Sequence, residues 1–191
     1  AEYRWSDRIL TSSRSFDRSI MEYGDYRDKI VYFPQWGDGE SGTVPDDFVM
    51  PDIPAGFRVM FAGAVGEAHG FECVMNAALL TRNHPEIKWV IVGDGRKLDW
   101  VRSFVQQHDL SDTVALMGRY PAAMPAFFSH ADVMLVSLND SPLFNLYAPA
   151  KISSYMASGK PIVACLNGEG ADVVREAGCG WGVPAGDARG L

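Results

Sequence analysis

The 191-residue sequence has few cysteines, no excess of basic residues and no long apolar run, and each absence argues against a class of protein. Its three cysteines are odd in number and never spaced Cys-x-x-Cys, which favours reduced, structural thiols of a cytoplasmic protein. Lysine and arginine number 17 against 24 acidic residues, so nucleic acid is not expected as a partner. No run approaches the roughly 20 apolar residues of a membrane span.

Histidine is also scarce, and the four histidines never lie three or four residues apart, so no metal site is expected. What remains is an ordinary globular composition, with 47% apolar and 21% charged residues. A chain of this length fits one main domain with room for an appendage.

From residue 57 onward, short apolar runs alternate with helical stretches, which predicts an α/β fold with a parallel sheet and helices on both faces, as in Rossmann-like domains. The expected strands are 58–62, 89–92, 114–117, 133–136 and 161–164. The expected helices are 71–82, 98–108, 124–129 and 150–158.

The amino-terminal part differs in pattern. A short strand over 8–11, a helix capped by Ser12 and Ser13, and a second strand over 29–33 have no obvious core of their own. Residues 37–56 are rich in proline, glycine and acidic residues, which predicts a linker. Both ends are expected to be cut from a longer protein.

Ligands of an open parallel sheet bind at the carboxyl ends of its strands, so the loops there are the candidate sites. The first loop has the spacing Gly63-x-x-Gly66-x-x-x-Gly70, in which glycine lets the backbone approach an anion. This spacing matches neither the dinucleotide-binding pattern nor the P-loop. A tight turn without a ligand is the alternative interpretation.

Three further loops follow apolar strands: Gly-Asp-Gly at 93–95, Gly118 with Arg119 and Tyr120, and the segment 137–151. Arg119 and Tyr120 offer donors and a planar surface, which suit a flat base. Lys151 lies near a helix start, where the macrodipole disfavours a cation unless an anion is shared. The sequence therefore leaves Lys151 either as a phosphate contact or as a solvated lysine.

In this order and spacing, the segments resemble the carboxy-terminal half of GT-B glycosyltransferases, particularly family-4 enzymes that build bacterial surface polysaccharides. The resemblance rests on residues 61–70, 90–95, 114–124, 131–136, 149–151 and 155–164. It implies residues 1–36 as the tail of an amino-terminal acceptor domain, 37–56 as a linker, and 57–191 as the nucleotide-sugar donor-binding domain, truncated at its carboxyl end.

The resemblance implies an enzyme, a retaining glycosyltransferase of the hexosyltransferase type. It would move a sugar from a nucleoside-diphosphate sugar, UDP-sugar being favoured, to a glycan or lipid-linked acceptor, with no cofactor and no metal. The fragment alone would be inactive because its acceptor domain is missing. The resemblance is compatible with a cytoplasmic enzyme peripheral to the inner membrane.

The same resemblance distributes site residues along the loops. The diphosphate is expected at Gly63, Ala64, Gly66, His69 and Lys151. The base and ribose are expected at Gly93, Asp94, Gly118, Arg119, Tyr120, Met124 and Ser154, and the donor sugar at Asp140, Ser141 and Leu146. No catalytic residue is assigned.

The chain departs from the family pattern at two pairs of positions. Where many members carry an arginine and a lysine in the first loop, it has Ala64 and His69, and where they carry two glutamates it has Leu146 and Ser154. Lys151 is expected to replace the missing cations. The alternatives are a nucleotide-sugar epimerase of the same architecture and a non-catalytic nucleotide-binding or interaction module.

Overall fold

A computed structural model describes residues 2–37 and 44–191. Part of the expected linker, residues 38–43, lies outside these ranges. The strands are β1 Ile9–Thr11, β2 Ile30–Tyr32, β3 Phe57–Ala62, β4 Ile87–Val92, β5 Val114–Gly118, β6 Val133–Ser137, β7 Ile162–Cys165 and β8 Gly180–Val183. The α-helices are α1 Phe16–Met21, α2 Phe71–Leu80, α3 Leu98–Gln107, α4 Met124–Ser129, α5 Ala150–Ala157 and α6 Glu169–Glu176.

Six strands form one parallel sheet in the order β5-β4-β3-β6-β7-β8. The chain builds outward from β3 to one edge and then returns to begin again at β6 on the other side of β3. This is the doubly wound arrangement, whose ligand crevice lies where the order reverses, between β3 and β6. The Rossmann-like fold expected from the sequence is confirmed.

The core has two layers because alternate residues of each strand point to opposite faces of the sheet. One face packs Met60, Met134 and their neighbours against α4, α5 and α6. The other packs Phe61, Ile91 and Leu135 against α2 and α3. Both faces of the central strands are apolar, which explains why these strands occur in the sequence as continuous apolar runs.

The amino-terminal strands β1 and β2 form a separate two-stranded parallel sheet. This unit is attached to the larger sheet by polar contacts: Glu169, buried at the start of α6, accepts hydrogen bonds from the backbone N–H of Arg14 at 3.0 Å and from the Ser15 hydroxyl at 2.7 Å. The buried Ser13 hydroxyl accepts from the N–H of Ala148. These contacts connect the unit to the loops that precede α5 and α6.

Each strand and helix predicted after residue 57 is present, with ends within two residues of those expected. Two elements, α6 and β8, were not predicted, because Gly168, Gly170 and the glycines at 178, 180 and 182 interrupt the periodic patterns. The predicted start of the first helix was wrong: α1 begins at Phe16, since Ser13 bonds to Ala148 instead of capping a helix.

Two of the three cysteines are not isolated in space. The Sγ atoms of Cys73 on α2 and Cys165 on β7 lie 3.5 Å apart, and both side chains are buried. Neither the sequence separation nor the spacing signals this contact. None of the helices within residues 2–37 and 44–191 has the length and apolar character that a membrane span requires.

Tyr155 joins α5 to the end of β3. Its hydroxyl donates to the carbonyl of Ala62 at 2.8 Å and accepts from the N–H of the same residue at 3.0 Å. The register pairs β6 with β3 only at Val59 and Met60, so Ala62 lacks a strand partner on that side. The buried hydroxyl satisfies both backbone groups, and this fixes the strand end immediately before the Gly63 loop.

We expect Tyr155→Phe to lower the free energy of unfolding by about 2–3 kcal/mol, because each unsatisfied buried backbone group costs about 1–3 kcal/mol. Chemical denaturation measures the change. Tyr147→Phe is the matched control, since the described residues provide no hydrogen bond to that partly buried hydroxyl. Equal effects of the two substitutions would contradict the assigned role of the Tyr155 hydroxyl.

Candidate functional site

The candidate site is a cleft of about 560 Å³ at the carboxyl edge of the sheet. It is formed by the loops that follow β3, β4 and β5. The residues that line it are Gly63, Ala64, Gly93, Asp94, Gly95, Arg119, Tyr120, Pro121 and Met124. The structure thus brings together residues predicted for diphosphate and residues predicted for the base.

The two glycine loops touch each other through their backbones. A Cβ atom on Gly93, whose φ is +154°, would lie 1.8 Å from the carbonyl oxygen of Gly63. Any larger residue at 93 would push the first loop out of place. Gly93 is therefore required by packing between loops, whether or not it touches a ligand.

Lys151, in the first turn of α5, points back over the first loop. Its Nζ lies 3.8 Å from the centre of the Phe61 ring and 3.2 Å from where a Cβ on Gly63 would be. The Nζ atom is buried and has no hydrogen-bond partner among the described residues. Burial lowers the pKa of Lys151 from 10.5 to about 7, because a charge without a partner is poorly solvated there.

His69 shares this pocket. Its ring packs edge-on against Phe61, with centroids 5.6 Å apart, and its buried Nδ1 lacks a hydrogen-bond partner among residues 2–37 and 44–191. Burial and the neighbouring Lys151 lower the pKa of His69 to about 4. His69 is therefore neutral at pH 7 and adds no positive charge to the pocket at that pH.

The loop that holds His69 is tied to the end of β6. The Ser137 hydroxyl donates to the carbonyl of His69 at 2.7 Å, and the Asn139 amide donates to the carbonyl of Glu67 at 2.6 Å. These bonds cross the reversal of strand order between β3 and β6. They hold the first loop, including Gly66, in one position relative to the segment that leads to Lys151.

The predicted base-binding residues lie at the β5 side of the cleft. Gly118 adopts a φ of +86° and turns the chain so that Arg119 is exposed. The Tyr120 ring packs against Phe127 with centroids 4.9 Å apart, and one side of the residue remains at the cleft. Met124 completes an apolar wall there, which is suited to the face of a planar ring.

The residues predicted for the donor sugar belong to another part of the edge and do not line this cleft. Asp140 follows β6, and its Oδ1 accepts from the amides of Asn145 at 3.3 Å and Asn167 at 3.0 Å. Ser141 and Leu146 are half-buried in the same segment. Asn167, which follows β7, was not predicted, because a lone asparagine before a glycine suggests only a turn.

Ser154 is separated from the other predicted base and ribose residues. It lines a smaller pocket of about 270 Å³ with Gln35, Trp36 and Ala150. The neighbouring Ser153 hydroxyl donates to the carbonyl of Gln35 at 2.8 Å, so the segment after β2 crosses this face of α5. The two side chains are separated because Lys151 packs over the first loop, whereas Ser154 lies about one turn further along α5, beside the segment that follows β2.

No group of histidine, cysteine, aspartate and glutamate suited to a metal ion occurs among the described residues. The cleft is instead lined by the backbone of glycine loops and by the side chains of Asp94, Arg119, Tyr120 and Met124, and the buried amine of Lys151 lies beside Gly63. This combination suits an anion attached to an aromatic base.

The chain matches the family model described as "Glycosyl transferases group 1" over residues 56–191. A Pseudomonas aeruginosa protein named "Probable glycosyltransferase WbjE" is 32% identical, over 97% of this chain and 48% of that protein. An Escherichia coli strain K12 protein named "Putative colanic acid biosynthesis glycosyl transferase WcaI" is 25% identical, over 80% of this chain and 39% of that protein. The chain therefore spans about half or less of these relatives.

Among solved structures, Anabaena Alr3699/HepE in complex with UDP-glucose superposes with a TM-score of 0.74 at 15% identity. The match covers 100% of this chain and 53% of that one. At this identity the likeness shows the fold alone.

We expect Lys151→Met to raise the free energy of unfolding by about 1–3 kcal/mol at pH 7, because it replaces an unpaired buried amine by an apolar chain of similar length. Denaturant unfolding measures the change. Lys160→Met is the control, since its Nζ is bonded to the carbonyl of Ser129 at the surface. A destabilised Lys151→Met protein would contradict the burial of an unpaired amine.

Unfolding of the unsubstituted protein should also depend on pH. Between pH 7 and 10.5 the unfolded chain holds a proton on Lys151 that the folded chain does not, so the free energy of unfolding should rise with pH. At about 1.4 kcal/mol per pKa unit, the rise is at most about 5 kcal/mol. If the free energy of unfolding of Lys151→Met does not rise in this way, the rise comes from Lys151. An identical pH profile in the variant would refute that assignment.

Proposed function

The chain belongs to the glycosyl transferases group 1, and on that premise we propose that it is the donor-binding half of a glycosyltransferase. The enzyme would transfer a sugar from a nucleoside-diphosphate sugar to a glycan or lipid-linked acceptor. The observation that carries the proposal is the buried, unpaired Nζ of Lys151 beside Gly63, at the reversal of strand order. An amine in that state is free to pair with an anionic ligand, to which it can donate charge-assisted hydrogen bonds once protonated.

In this proposal the diphosphate lies along the first loop. Gly63, Ala64 and Gly66 offer backbone close to the anion, and Lys151 neutralises part of its charge. His69, which is neutral at pH 7, contributes a ring nitrogen for hydrogen bonding rather than a charge. In this chain the positive charge that many family members carry in the first loop would then be supplied by Lys151 instead.

The base would occupy the β5 side of the cleft, against Tyr120 and Met124, with Arg119 at its rim. Uracil is the base we propose, because solved structures of the same fold, such as that of Alr3699/HepE, contain UDP-glucose. The donor sugar would extend toward Asp140 and Ser141, where the free oxygen of the Asp140 carboxylate can accept from sugar hydroxyls.

Catalysis would rest on stabilisation of the leaving diphosphate, whose negative charge grows as the bond to the sugar breaks. We propose retention at the anomeric carbon, as the family resemblance implies. Residues 1–36 would be the tail of the acceptor domain, 37–56 the linker and 57–191 the donor domain. The groups that hold the acceptor would then belong to the rest of the amino-terminal domain, and the fragment alone would be inactive.

Calorimetric titration with UDP, GDP and ADP tests the proposal directly. We expect one of them, UDP in the first instance, to bind with 1:1 stoichiometry, and adenosine to serve as an uncharged control. Absence of binding by all three nucleotides would refute the donor-site assignment.

We expect Lys151→Ala to weaken binding of the nucleoside diphosphate at least tenfold, because a charge-assisted hydrogen bond to phosphate contributes about 1.5–3 kcal/mol. The same titration measures the loss. Lys160→Ala should bind as the unsubstituted protein does. Unchanged affinity in Lys151→Ala would return this residue to the role of an ordinary structural lysine.

A further inference from the structure

The pocket around Lys151 has an unusual balance of charge. Its Nζ faces the Phe61 ring on β3, the backbone of Gly63 and the side chain of His69. Two basic groups thus lie together with hydrogen-bonding atoms unpartnered in the described part of the chain. Neither can be charged there without loss of solvation, and Lys151 also disfavours a charge on His69.

The acidic groups on the surrounding elements have other partners. Glu67 in the first loop and Glu72 on α2 both pair with Lys97. Asp94, after β4, accepts from the N–H of Gly95 at 2.7 Å, and Asp140 accepts from two amides. No carboxylate among the described residues is bonded to Lys151, so the protein supplies no counter-charge for it.

From this arrangement we propose that binding of a diphosphate at this site takes up one proton from solvent, which ends on the Nζ of Lys151. The ligand brings the negative charge that the pocket lacks, and the ammonium forms only when that charge is present. The inference rests on the proposed function, since it concerns the same anion site. No bond of the ligand is made or broken, and the only transfer is one proton from buffer to amine.

The burial of Nζ determines how many protons are taken up when the diphosphate binds. With a pKa near 7 in the free protein, about one Lys151 in eleven is protonated at pH 8. A bound diphosphate raises that pKa because an opposite charge within about 4–6 Å favours the ammonium. Binding at pH 8 is therefore accompanied by uptake of about 0.9 proton. His69, with a pKa near 4, stays neutral at this pH.

The sign of the pH dependence follows from linkage. A group whose pKa rises on binding strengthens binding below its free pKa and weakens it as pH increases above that value. The affinity should therefore fall about tenfold between pH 8 and pH 9, as expected for uptake of one proton. Selectivity follows as well: a neutral nucleoside brings no charge and should take up no proton.

Titration of the protein with UDP at pH 8, in buffers of small and large ionisation enthalpy, tests the inference. The slope of binding enthalpy against ionisation enthalpy gives the number of protons exchanged. A value of about 0.9 proton is expected. UDP binding with a value near zero would overturn the inference and leave the proposed function standing. Absence of binding by UDP, GDP and ADP would overturn both.

Two variants locate the proton. Lys151→Arg keeps a permanent positive charge, so it should bind UDP with little proton uptake and with an affinity that is nearly constant from pH 8 to pH 9. Lys97→Arg is the matched control, because Lys97 is already paired with two carboxylates, and it should retain the full uptake. Full uptake in Lys151→Arg would overturn the assignment to Lys151.

A measurement on the unsubstituted protein covers the case in which arginine does not fit the pocket. With isotopically labelled lysine, the Cε resonance of Lys151 should titrate near pH 7 in the free protein and above pH 9 with UDP bound. A resonance that titrates above pH 10 in the free protein would overturn the inference.

Discussion

The hydroxyl of Tyr155 bonds both backbone groups of Ala62, and the candidate site depends on that contact. It fixes α5 against the end of β3 at the point where β6 no longer pairs with that strand. Lys151 lies four residues before Tyr155, on the same face of α5. The position of α5 that lets Tyr155 bond the Ala62 backbone therefore also places the Lys151 amine above Gly63. The location of this amine thus follows from the packing of the core.

The buried position of Lys151 lowers the stability of the free protein but favours the binding of an anion. Burial of an unpaired amine destabilises the free protein, and an apolar residue would pack there more favourably. An anion site benefits from the same burial, because electrostatic attraction is stronger where water is excluded. A residue that destabilises the free protein but strengthens ligand binding is expected where it is retained for function and not for packing.

The amino-terminal unit is connected to the same loops through a few polar bonds. Ser13 bonds to Ala148, three residues before Lys151, and Glu169 bonds to Arg14 and Ser15. Ser153 bonds to Gln35 after β2. A displacement of this unit would therefore pull on the segments that begin α5 and α6, including the turn that carries Lys151.

The sequence by itself determined a parallel sheet covered by helices after residue 57, since buried parallel strands require the continuous apolar runs seen in β3, β4 and β6. It also selected the loops that meet at the carboxyl edge. Only the tertiary structure decided which of their residues share a pocket. Lys151 meets His69 and Ser154 does not, because contacts between distant segments, such as Tyr155 with Ala62 and Gln35 with Ser153, set the position of α5. Burial and charge at one atom depend on every segment packed around it, which no local pattern records.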